Sequence, residues 1–143
     1  MLFLLFIAAC LSIAVYDIKY RRIPNLIILF IIALRVLYLI TEFDSIVLID
    51  SLIGLIFASI TFMIPKIIHM RIGWGDIKYS SALGFCLGFP DYVYSMLVCV
   101  LCTFLYLLFR KCSMKKDIKA FQLPLGTFMS IGSIIIIILK IIL

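Results

Sequence analysis

Asp17 and Asp76 are the residues best placed to do chemistry: two acids in a chain that is otherwise almost all hydrocarbon, each followed two positions later by a lysine, Lys19 and Lys78. A charged side chain in an apolar helix costs about 2.5 to 3.5 kcal/mol at the bilayer centre, so an acid kept there points to function. As a pair, the two suit acid-catalysed hydrolysis. Two neighbouring carboxylates cannot easily both ionise, so one holds a proton while the other activates a water. The protonated acid would polarise a scissile carbonyl and the ionised one would take a proton from the attacking water. Their apparent pKa values would belong to the pair.

Each acid alone also has a plainer reading. The first lies in Tyr16-Asp17-Ile18-Lys19-Tyr20-Arg21-Arg22-Ile23-Pro24-Asn25, where Pro24 breaks helix continuity and Asn25 is placed to cap the next helix. An interfacial acid balanced by Lys19, Arg21 or Arg22 would explain Asp17. The second lies in Gly73-Trp74-Gly75-Asp76-Ile77-Lys78. Gly73 and Gly75 permit close backbone approach, Trp74 suits a membrane interface, and Asp76 reads as a helix N-cap favoured by the helix dipole. That accounts for Asp76 but ignores its partner.

The elements that must position these acids are apolar. With 143 residues, 66% of them hydrophobic, and a mean hydropathy of +1.33, the chain has more apolar surface than a soluble domain of its size can bury. It reads as an integral membrane protein. Met1 runs straight into Leu2, Phe3, Leu4 and Leu5 with no basic region and no small-residue cleavage site, so the first segment is expected to be a retained helix. Six apolar segments follow one another: Leu2 to Tyr16, Leu26 to Ile40, Ile46 to Ile64, Ile77 to Phe89, Tyr92 to Phe109, and Leu123 to Leu143. Without water for the backbone, helices are the default, and the short ones must borrow from flanking loops to span roughly 20 residues. The expected fold is an all-α membrane protein, one domain over residues 1–143, forming a bundle of six transmembrane helices.

Charge then orients the bundle. Lys19, Arg21 and Arg22 follow segment one, Lys66, Arg71 and Lys78 surround the gap between three and four, and Arg110, Lys111, Lys115, Lys116 and Lys119 fill the gap between five and six. Those are eleven of the 13 basic residues, whereas the intervening loops are read as carrying Glu42, Asp44, Asp50 and Asp91. The positive-inside rule therefore predicts both termini outside, with Asp17 and Asp76 at the same depth on the cytoplasmic side of the plasma membrane. The net charge of +6 sets topology and implies no nucleic acid.

Other polar residues carry less. Cys99 and Cys102 form a C-x-x-C without the second ligand pair that zinc needs, and His69 lies in a basic loop without companions, so no metal site is read. Lys19 and Lys78 either tune the acids and bind substrate backbone or snorkel to the interface. Arg35 is expected to snorkel or to pair with Glu42. Arg110 to Lys119 suits anionic lipid head groups, and Ile134 to Ile138 suits a lipid-facing surface.

Taken in order, the motifs resemble a known family. Gly73-x-Gly75-Asp76-x-Lys78, with Asp17-x-Lys19 and Ile23-Pro24-Asn25, looks like the type IV prepilin peptidases, membrane aspartyl proteases of the GxGD class. Leu123-Pro124-Leu125-Gly126-Thr127-Phe128-Met129-Ser130-Ile131-Gly132 is similar to the family's last helix, usually Pro-Phe-x-Pro-x-x-x-x-Gly, with Pro124 and Gly132 fitting cleanly. The resemblance implies that Asp17 and Asp76 form the catalytic dyad, with Gly73, Gly75, Lys19 and Lys78 supporting it or binding substrate. It implies no cofactor. Implied partners are pilin-like precursors, whose short basic leader ends in glycine before a hydrophobic helix and is cut on the cytoplasmic side. The large bifunctional members carry an extra cytoplasmic region with two C-x-x-C pairs and methylate their product. This chain begins at the first catalytic helix, so it resembles the short, protease-only members of tight-adherence pilus systems and the archaeal preflagellin peptidases, and Ile23-Pro24-Asn25 favours the bacterial branch. Two other readings compete: a small proton-coupled transporter or channel, which would more often show repeats and acids at the midplane, and an inactive scaffold for precursors, which intact aspartates argue against.

Overall fold

A computed structural model describes residues 2–42, 44–68, 72–113 and 124–142. They form six helices: α1 (Leu2–Tyr20), α2 (Asn25–Thr41), α3 (Ser45–Ile67), α4 (Trp74–Leu87), α5 (Phe89–Ser113) and α6 (Leu125–Ile142), with no strand among the described residues. Four of them, over Phe3–Tyr20, Ser45–Ile67, Phe89–Phe109 and Leu125–Ile142, are long and apolar enough to cross a membrane. The 17 residues of α2 and the 14 of α4 are shorter. At 1.5 Å per residue α4 reaches only about 21 Å of a roughly 30 Å hydrocarbon layer.

The short helix is also the central one. α4 packs against α2, α3, α5 and α6, and it buries Ile77, Tyr79, Ser80, Ala82, Leu83 and Gly84. Enclosure by protein lets it carry hydroxyls, each with a partner: Tyr79 with Ser130 on α6 at 2.7 Å, and Ser80 with Tyr92 on α5 at 2.6 Å. Cys10, Ile13, Ile31, Tyr79, Leu83 and Met129 form the fully buried centre, while Leu26, Ile46, Phe109 and many other large apolar side chains face outward. That outer surface is what a bilayer solvates and water does not.

Small residues bring the helices together. On α3, Gly54 and Ala58 face Gly84 of α4 so closely that a Cβ on either glycine would strike the other's backbone oxygen. This is the small-xxx-small contact of membrane helices, which replaces the hydrophobic effect with close van der Waals packing. Gly132 of α6 meets the Ser95 carbonyl of α5 in the same way.

Several local expectations change. The helix after Pro24 has Pro24 itself at the N-cap, without a side-chain bond, and Asn25 is its first residue. Asn25 therefore caps nothing. Asp50 lies within α3 and not in a loop; its Oδ1 accepts from the Phe89 N–H at 3.2 Å, at the start of α5. Beside it Gly88 adopts φ 84°, and a Cβ there would run into the Asp50 carboxylate. Arg35 pairs with Ser51 and not with Glu42: Nε and Nη2 donate to Ser51 Oγ at 3.1 and 2.7 Å. Ile137 belongs to the buried core and not to the lipid face. His69, Arg71 and the basic stretch beyond Ser113 lie outside the described residues.

Candidate active site

Asp17 sits one turn before the end of α1, and its carboxylate is about 5% exposed. The helix continues past it to Tyr20 and is closed by Arg21, whose N–H donates to the Asp17 carbonyl at 2.9 Å with φ at 52°. A left-handed residue after the last turn ends a helix by taking up an orphan carbonyl, and in a non-glycine residue it costs about 1 to 2 kcal/mol. The chain turns there and runs through Ile23 into α2.

The polar partner of Asp17 is remote in sequence. Oδ2 accepts from the Thr127 backbone N–H at 3.0 Å and from the Thr127 hydroxyl at 3.3 Å. That hydroxyl is also within 3.3 Å of the Ala14 carbonyl. Gly126 makes the approach possible, because a Cβ there would stand 3.0 Å from both Asp17 Oδ2 and Ile23 Cδ1.

Asp76 lies at the third position of α4 and is not its N-cap. Gly73 holds the cap position, and its N–H donates to Asp76 Oδ2 at 3.3 Å, so the carboxylate reaches back over the first turn. Gly75 packs on Ile23, with 3.4 Å from an added Cβ to Ile23 Cβ. Ile23 thus touches the starts of both α4 and α6. This arrangement brings Asp17 and Asp76 within electrostatic reach of each other, and Lys66 of α3 acts on Asp76 as well. Lys66 donates to the Ile72 carbonyl at 3.2 Å, and its Nζ lies 3.6 Å over the Trp74 ring, above an open cleft lined by Met63, Lys66, Ile67 and Trp74.

Of the six residues singled out by sequence, Asp17, Asp76, Gly73 and Gly75 come together here. Lys19 and Lys78 are both exposed; Lys19 Nζ lies 5.3 Å from the Tyr20 ring. Residues that sequence reasoning passed over are Thr127, Gly126, Ile23 as a contact and Lys66. A glycine followed by a hydroxyl residue just after the helix-starting Pro124 was the available signal for the first two. Among the described residues no three His, Cys, Asp or Glu side chains cluster as metal ligands.

Fold and site define an all-α, multi-pass membrane protein with two carboxylates within electrostatic reach of each other, each bonded by a backbone N–H at the start of a helix. A model of the type IV leader peptidase family matches residues 4–108, nearly three quarters of the sequence, and the chain belongs to that family. The match contains both acids and stops short of α6. No curated protein and no solved structure matches the chain.

Proposed function

We propose that this protein is a membrane aspartyl endopeptidase that removes the short basic leader of type IV prepilin-like precursors, using Asp17, Asp76 and one water. Membership of a leader peptidase family gives the reaction class and the pilin-like substrates. The observation that supports the mechanism is that Asp17 of α1 and Asp76 of α4 lie within electrostatic reach of each other, each with one oxygen bonded by a backbone N–H.

In this reading one carboxyl is ionised and takes a proton from water as the oxygen attacks the scissile carbonyl, while the other donates its proton to the carbonyl oxygen. Collapse of the tetrahedral intermediate breaks the C–N bond, and a carboxyl returns a proton to the leaving amine. Gly73 and Gly75 keep the backbone before Asp76 open to the substrate chain, and Lys19 and Lys78 stand where a peptide backbone or head groups would meet them.

All six helices cross the plasma membrane in this proposal, with both termini outside and the acids at the cytoplasmic rim. Support comes from the basic residues grouped after α1, around the start of α4 and after α5. Enclosure of α4 by its neighbours offsets its shortness, since a helix buried in protein need not match the bilayer by its own length.

The test is leader removal from a co-expressed pilin-like precursor. Asp17→Asn and Asp76→Asn are each expected to lower the cleavage rate by roughly 10²-fold or more. Unchanged processing by either variant would remove that aspartate from the mechanism.

A further inference from the structure

Asp17 receives both of its hydrogen bonds on one oxygen and both from one residue, Thr127. Among the described residues no fully buried side-chain nitrogen or oxygen lacks a partner, yet neither donor reaches Asp17 Oδ1. Oδ1 is therefore the accessible oxygen of an otherwise buried carboxylate. Thr127 is itself locked: Ser130, one turn later on α6, donates to the Gly126 carbonyl at 2.8 Å and bonds the Tyr79 hydroxyl at 2.7 Å. Tyr79 is one turn beyond Asp76 on α4. The first two turns of α6 thus hold α1 through Thr127 and Asp17, and α4 through Ser130 and Tyr79.

From this we infer that Thr127 is a positioning residue for the dyad: its N–H and hydroxyl fix Asp17 Oδ2, so that Oδ1 faces Asp76 and the attacking water. The inference rests on the aspartyl peptidase reading above. It adds a residue outside the part of the chain that the family model matches. A single donor would leave the carboxylate free to swing about that bond, whereas two donors from one rigid turn, both on Oδ2, restrict its orientation. Misplacement of a reacting group by about 1 Å costs on the order of 10²-fold in rate.

The experiment compares wild type with Thr127→Val, Thr127→Ser and Asp17→Asn in purified, detergent-solubilised full-length protein, measuring kcat and KM for a pilin-like precursor and the thermal unfolding midpoint. Thr127→Val keeps shape and N–H but loses the hydroxyl, and kcat is expected to fall by roughly tenfold or more with KM and midpoint unchanged. Thr127→Ser is expected to restore most of kcat. A wild-type kcat in Thr127→Val, a serine variant as slow as the valine one, or a fall in kcat matched by a fall in the midpoint overturns the inference. Cleavage by Asp17→Asn overturns the dyad and this inference together, whereas an inactive Asp17→Asn beside a fully active Thr127→Val overturns this inference alone.

Discussion

At the scale of single residues the site is defined by what touches the carboxylates. Asp17 could be singled out from sequence because an acid among leucines and isoleucines is costly; the plainer reading looked to Lys19, Arg21 or Arg22 for its balance, and Thr127 gives it hydrogen bonds that no local reading foresaw. Local sequence displays the cations, while the donor that closes the shell lies 110 residues away. Asp76 was legible as an acid at a helix start, though its place is the third residue and not the cap. Gly126 allows a direct prediction. Its missing side chain leaves room for the Asp17 carboxylate and Ile23, both of which an added methyl would press at 3.0 Å. Gly126→Ala is expected to slow leader removal by about tenfold by shifting that carboxylate, with KM for the precursor little changed. A steady-state comparison checks this, and a wild-type kcat would show that the contact relaxes without cost.

At the scale of elements, helix positions were readable from hydropathy and their ends were not. Segment one was expected to stop at Tyr16, yet α1 runs four residues further to Tyr20, because polar and aromatic residues at a membrane interface continue a helix as readily as apolar ones. The contacts between helices depend on glycines whose role only their partners reveal. Gly54 and Ala58 of α3 meet Gly84 of α4 with no space for a larger side chain. Gly54→Leu is expected to force α3 from α4 and to destabilise the bundle by about 1 to 3 kcal/mol, the usual range for overpacking. Thermal unfolding in detergent would record it as a lowered midpoint, and since α4 carries Asp76, cleavage should fall in parallel. An unchanged midpoint would mean that the two helices are not held by this contact.

At the scale of the whole molecule the prediction concerns orientation. With basic loops inside, reporter enzymes that work only outside the cytoplasm are expected to be active when fused to either terminus and inactive when inserted after Ser113. The reverse pattern would put the acids on the outer face and away from a cytoplasmic leader. The sequence by itself determined that the protein lies in a membrane, that it is helical and that it resembles the leader peptidases, and it singled out two acids as the candidates for chemistry, since all of these follow from hydropathy and short motifs read along the chain. Only the tertiary structure decided that the short α4 sits at the centre, that Ile23 lies between the starts of α4 and α6, and that Thr127 grips Asp17. The physical reason is that helix contacts in a bilayer depend on close fit between small residues and on paired hydroxyls far apart in sequence, and no local pattern encodes which of them will meet.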